Sequence, residues 1–226
     1  MVNYIKNTID LSAVRLSDSY YYNSLAFCII DAIFSIGAKY ESTKNVVLRY
    51  CDKNNLEMYR DRNIPITNIE HEYTVAEFLR NINGISFDDL ASIIFENKQR
   101  TSTSNGILKA QAVYEFASIL HNNNIDTFSD VPKMYENFTI ETQVKAIKGQ
   151  RSGISVDYFY MLSGNDDLIK ADRHILNYIY MATGYRVSKD KAQKLIANSV
   201  EVLKLEYPEI TCRMLDHAIW NYMAHK

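Results

Sequence analysis

Apolar positions recur along this chain at helical rather than strand spacing. In "ILKAQAVYEFASILHNNN", Ala110, Val113, Ala117 and Leu120 fall on one helical face, and the asparagine run ends it. "DRHILNYIYMATG" turns Ile175, Leu176, Ile179 and Met181 inward and stops at Gly184, a residue suited to a left-handed cap. "KAQKLIANSVEVLKLEYPE" presents Ala192, Leu195, Ile196, Ser199, Val202 and Leu203, and stops before Pro208. A last helix, "CRMLDHAIWNYMAHK", presents Met214, Leu215, Ala218, Ile219 and Tyr222. Leu25 to Tyr40 is predicted helical and largely buried. "NNLEMYRDRNIPITNIEHEYT" is the least regular stretch, where an extended excursion is expected. With 3 Pro and 7 Gly, the chain has little of the turn punctuation that many short strands need. No repeat, linker or low-complexity tract stands out. The predicted class is all-α.

Composition adds limits rather than direction. The 226 residues are enough for one large domain or two interlocked small ones, and 47% apolar with 23% charged is ordinary for a globular protein. A formal net charge of -2 gives no hint of a nucleic-acid partner. Cys28, Cys51 and Cys212 share no metal-ligand spacing and read as reduced thiols. The polar start "MVNYIKNTIDLSAVRL" is unlike a signal peptide. The longest apolar run, Leu25 to Ile36, is too short to span a bilayer and carries Asp31. A soluble, cytoplasmic protein with no membrane partner is expected. His71, His121, His174, His217 and His225 show no HxxxH pairing that would suggest a metal, and no cofactor is expected.

The distribution of charge says more than its sum. From Asn97 to Lys109, "NKQRTSTSNGILK" carries Lys98, Arg100 and Lys109 with no acid. From Thr142 to Val156, "TQVKAIKGQRSGISV" carries Lys145, Lys148 and Arg151, again with no acid. Both are rich in Ser, Thr, Asn, Gln and Gly, residues suited to holding phosphate oxygens. Within the second, Gly149 and Gly153 allow a tight turn between two helices, with N–H groups aimed at a phosphate. Two solvated loops would account for the composition equally simply, and a structural αα-corner could use the same glycines, although it would not need the cations.

Taken together, "VKAIKGQRSGISVDYFYML" resembles a helix-hairpin-helix element, expected at about 144–161. The order of motifs around it is similar to that of the helix-hairpin-helix DNA glycosylase superfamily (HhH-GPD). Downstream comes "SGNDDLIKADRHILNYI", with Asp172 where that superfamily has an aspartate opening the next helix. "SLAFCIIDAIFSIGA" resembles its first long helix, and "GILKAQAVYEFASIL" resembles the helix after a turn that here holds Gly106, Lys109 and Ala110. "MLDHAIWNYM" is similar to its closing helix, through Asp216 and Trp220. The likeness covers about Ser24 to the C-terminus and lies in order and spacing, not in any one motif.

The resemblance implies two interlocked helical subdomains with a cleft between them, one from 1–20 plus 166–226 and the other from 21–165. It implies a double-stranded DNA partner, a monomer, and base excision. A base is turned out of the stack, and a carboxylate, Asp172, stabilises the oxocarbenium-like sugar while its N-glycosidic bond is hydrolysed. DNA contacts would come from Lys145, Lys148, Gly149, Gln150, Arg151, Ser152, Gly153 and Lys109. Departures are also present. The hairpin reads Gly149-Gln150-Arg151 where the family has a second glycine. The proline expected two before the aspartate is Lys170. The position of the lyase lysine falls on Gly153, Ser152 or Ile154, none of which can form a Schiff base, so a monofunctional enzyme is implied. The wedge glutamine aligns with Gly37, leaving Lys39 or Tyr40 as the wedge; Tyr158 and Tyr160, just past the hairpin, are the tyrosines placed best to line the cleft. A non-catalytic DNA-binding module on the same scaffold is the competing reading, in which Asp172 serves only as a helix cap. An all-α interaction protein with no nucleic acid is a third.

Overall fold

The computed structural model describes residues 1–66, 69 and 71–226. Among the described residues the regular structure is helical, with twelve α-helices, and extended pairing is limited to the isolated bridges Tyr22–Tyr59 and Arg100–Leu108. The chain forms two compact units, Met1–Ser17 with Gly164–Lys226, and Asp18–Ser163.

The second unit is built around α2 (Leu25–Phe34), in which every residue is buried. A helix that is apolar all round needs cover all round, and α3 (Tyr40–Asn54), α4 (Val75–Asn81), α6 (Lys109–Asn122) and α9 (Ile154–Leu162) supply it. Each large side chain so buried contributes about 1.5–3 kcal/mol. Ser24 starts α2, accepting from Ala26 N at 3.0 Å and donating to Tyr73 O at 2.6 Å. The helix expected from Leu25 to Tyr40 ends early. Gly37 takes φ +66° and Lys39 is extended, so a separate helix, α3, begins at Tyr40. Its buried residues Thr43, Val46, Val47, Tyr50 and Cys51 keep helical spacing within a polar sequence. Downstream, α5 (Phe87–Asp89) runs into a π-helical turn over Leu90–Ile94. The short α7 (Pro132–Glu136) leads to α8 (Phe138–Ala146).

The expected extended excursion lies partly outside the described residues. Its described start pairs with the chain ahead of α2, through Asn23 N to Met58 O at 3.1 Å and Arg60 N to Tyr21 O at 2.9 Å.

In the first unit, α10 (Arg173–Thr183), α11 (Lys189–Leu203) and α12 (Cys212–Ala224) pack on one another, and α1 (Val2–Thr8) packs on α11. Gly184 ends α10 in the left-handed region at φ +78°. Tyr178 rather than Met181 faces the core, and Val200 rather than Val202 does so in α11. The rest of each expected face holds, with Ile175 and Ile179 buried in α10 and Ala192, Ile196, Ser199 and Leu203 in α11; only one edge position of each stripe is exchanged.

Near α4, Glu72 accepts from Phe128 N at 2.9 Å, and burial raises its carboxyl to about 7 despite that bond. A group whose folded pKa is raised contributes stability below its unfolded value and loses it as pH rises through the folded one. The stability of the wild type relative to Glu72→Gln should therefore decline between about pH 4.5 and 7. Denaturant midpoints of both proteins at several pH values check this, and a constant difference would contradict it.

Candidate nucleic-acid interface and candidate carboxylate

The link between α8 and α9 is a pair of tandem turns. Gln150 N donates to Ile147 O at 2.9 Å, and Gly153 N to Gln150 O at 3.0 Å. The central residues of each turn, 148–149 and 151–152, take no part in these closing bonds and are exposed. Gly149 sits at φ +92° and Gly153 at φ +74°, conformations that L side chains seldom adopt. Both glycines also make room. A Cβ on Gly149 would lie 2.5 Å from Thr101, and one on Gly153 would lie 2.7 Å from the stem of Lys145.

The Thr101 approach joins the two basic segments. Residues 97–109 close into a loop, with Thr101 N donating to Ile107 O at 2.9 Å and Lys109 N to Gln99 O at 2.8 Å. Arg100 Nη1 braces it from Gly106 O at 2.6 Å. Thr101, at the neck of the loop, rests against the hairpin at Gly149, so the exposed Lys98, Arg100, Lys148 and Arg151 lie on two adjoining segments of the second unit.

Several expected contacts change role. Lys109 is buried at 3% exposure, and its ammonium donates to Phe34 O at 2.8 Å, Ile36 O at 2.7 Å and Gln99 Oε1 at 3.0 Å. It ties the loop to the end of α2 and has no access to a phosphate. Gln150 is likewise buried, leaving Oε1 without a partner, and Gly153 is covered by Lys145. Lys145 pairs with Glu141 one turn earlier in α8, an acid just outside the acid-free segment. Lys148, Gly149, Arg151 and Ser152 keep their exposure. Lys98 and Arg100, which sequence reasoning left unassigned within a basic segment, join them.

In the first unit, Asp172 is the N-cap of α10. Its Oδ1 accepts from His174 N at 2.8 Å and Ile175 N at 3.2 Å. Its Oδ2 has no hydrogen-bond partner among the described residues. The cap fixes one oxygen and leaves the other unengaged on a half-buried side chain. Asp216 on α12 accepts from Lys170 N at 3.0 Å and so holds the strand of chain leading into the cap. Burial, then the charge of Asp172, raise the Asp216 carboxyl well above the usual range and favour its protonated form. Arg213 pairs with Asp166, and His174 meets Trp220 edge-on at 5.9 Å. An open cavity of about 280 Å³ in this unit, lined in part by Asp10, Arg15, His217 and Tyr222, does not include Asp172.

A third cluster lies in the second unit. Tyr158, on α9 just beyond the hairpin, donates to Asp31 Oδ2 at 3.4 Å, and Tyr22 donates to the same oxygen at 3.0 Å. Tyr59 stacks on Tyr22 at 5.5 Å. Asp31 is the residue sequence reasoning passed over. The available signal was a lone acid in the most apolar run of the chain, which burial obliges to find partners. Lys39 is exposed at the start of α3, and Tyr40 beside it is half-buried, its hydroxyl 3.4 Å from Ser19 Oγ. The three cysteines are buried and form no disulfide among the described residues, with the Cys51 and Cys212 thiols pushed up by burial to about 12 and about 11, which leaves little thiolate at neutral pH. Among the described residues, no group of three or more His, Cys, Asp and Glu could hold a metal ion, and no helix is long and apolar enough to cross a membrane.

Residues 1–224 match the family described as Domain of unknown function (DUF8548). The chain belongs to that family. No curated protein and no solved structure matches it.

Lys109→Ala in this DUF8548 member should lower stability by roughly 2–4 kcal/mol, since it removes a buried cation and strips two carbonyls of their donor. Chemical denaturation measures this. A loss under about 0.5 kcal/mol, the range of ordinary surface changes, would place Lys109 outside the packing described.

Proposed function

We propose that this protein binds duplex DNA through the outer side of the 147–153 turn and the adjoining 97–108 loop, and that it hydrolyses the N-glycosidic bond of an extruded base with Asp172 as the catalytic carboxylate. The contact between Thr101 and Gly149 carries the binding part. It brings two acid-free basic segments, far apart in sequence, into one cationic region within a chain of net charge -2. A solvated loop has no need of that juxtaposition, whereas a phosphate backbone repays it by release of counterions. Turn amides and small polar side chains position a backbone without reading its sequence.

The catalytic part is supported by the division of labour within Asp172. Oδ1 is held by two helix amides, which fix the rotamer, and Oδ2 is unengaged. In the reaction, the bond between the sugar's anomeric carbon and the base nitrogen breaks. The base leaves with the electron pair and takes up a proton. Oδ2 offsets the positive charge developing on the sugar and accepts the proton of the water that adds to it. Near the hairpin, Ser152, Gly153 and Ile154 offer no amine for a covalent intermediate, so the strand stays intact.

Two measurements test this reading. Duplex affinity should fall steeply with salt, and Lys148→Ala with Arg151→Ala should reduce the slope of log K against log salt by about 2. An unchanged slope would remove the hairpin from the interface. Base release should be scored by hot-alkali cleavage across a panel of duplexes that each carry one lesion. Asp172→Asn should abolish release while keeping DNA affinity and fold, because Asn caps a helix as well as Asp. Equal release by the variant would remove Asp172 from the chemistry. Salt-sensitive binding without release from any duplex would leave the non-catalytic module.

A further inference from the structure

The open cavity of the first unit, about 280 Å³, lies between the stretch that follows α1 and one side of α12. Asp10 and Arg15 both line it. They carry opposite charges, yet among the described residues neither enters an ion pair, with the other or with any third group. Local bonds hold them instead. Asp10 Oδ1 accepts from Ser12 N at 3.2 Å and from Ser12 Oγ at 2.6 Å, and Arg15 Nη1 donates to Val14 O at 2.6 Å. Acceptor capacity on the carboxylate and most of the guanidinium donors stay uncommitted.

The wall from α12 is polar but uncharged. Asn221 Nδ2 donates to His217 Nε2 at 2.9 Å, which orients the amide and leaves its oxygen as a further acceptor. Burial, then the charge of Arg213, hold the His217 pKa below its ordinary value, so the ring is neutral near neutral pH. Ile9, Val14, Ala218 and the Tyr222 ring supply apolar surface. Lys226 lies over that ring at 5.5 Å without lining the cavity. The lining therefore offers a cation, an anion and an apolar wall, and its two charges cancel. Opposite charges placed for stability would meet each other, although an exposed pair gains little by it. Left unpaired around one cavity, they complement a molecule that carries both signs. The volume is at the small end for ligand sites, which run from about 300 to 1,000 Å³, so the ligand is small.

We propose that this cavity binds a small zwitterion of the α-amino-acid type, with its carboxylate on the fork of Arg15, its ammonium on Asp10 and the Asn221 amide oxygen, and its side chain against Val14, Ala218 and Tyr222. A guanidinium can hold a carboxylate through two parallel bonds, which fixes orientation as well as charge. The site uses neither the hairpin nor Asp172, and it stands or falls apart from the DNA reading.

Each of the standard amino acids is added to the full chain, and the rise in unfolding temperature is recorded. The one with the largest rise is then titrated by calorimetry beside its N-acetyl derivative, which lacks the ammonium, and its α-amide, which lacks the carboxylate. Each derivative should bind at least about tenfold more weakly. Asp10 and Arg15 are exposed, so Asp10→Asn and Arg15→Gln should fold as the wild type does. Asp10→Asn should weaken the amino acid at least about tenfold and leave the N-acetyl derivative unchanged, since that ligand has no ammonium to lose. Arg15→Gln should do the same with respect to the α-amide. Absence of binding by every amino acid, equal binding of the amino acid and its two derivatives, or wild-type affinity in both variants would each overturn the proposal.

Discussion

The second unit depends on the burial of α2 from every side. Its residues from Leu25 to Phe34 are all covered, so α3, α4, α6 and α9 converge on it from different parts of the chain. Two consequences follow for charged side chains. Lys109, at the start of α6, has nowhere to place its ammonium except on the carbonyls at the end of α2, which have no partners within the helix. Asp31 is buried, and tyrosines from the segment before α2 and from α9 donate to it. One apolar helix thus decides both the seat of the basic loop and the surroundings of the buried acid.

The hairpin shows how glycine acts through space as well as through φ. A left-handed turn could be made by asparagine at modest strain, as Asn55, Asn105 and Asn124 do elsewhere in this chain. Gly149 could not be replaced that way, since any Cβ there would enter Thr101. The turn's conformation and the docking of a distant loop are met by the same missing atom. Lys145 stretches its stem over Gly153 and ends on Glu141, which braces the turn and leaves Lys148 and Arg151 as its outward charges.

Around Asp172 the two carboxyls have different surroundings. Asp172 stands at a helix N-terminus and receives two amides there. Asp216, buried nearby, is pushed toward its neutral form and works as a hydrogen-bond acceptor for the backbone ahead of the cap. Rigid support behind a partly unengaged carboxylate is what a preorganised electrostatic catalyst requires. The same geometry would also serve a purely structural cap, and chemistry distinguishes the two.

Periodicity by itself determined the helical class, four of the seven buried positions of α6 and the Gly184 stop, because those signals are local: spacing at 3.6 residues and a left-handed glycine need no partner to be read. The acid-free basic segments and the Asp172 cap were legible for the same reason. Tertiary structure alone decided which lysines face outward. Lys109 and Lys148 look alike in sequence, but one lies where α6 meets α2 and the other on the outside of a turn. It also decided that α3 is separate from α2, that Thr101 meets Gly149, and that Asp31 gathers tyrosines from both sides of α2. Each of these is a contact between residues distant in the chain, and no local pattern encodes the distance that packing closes.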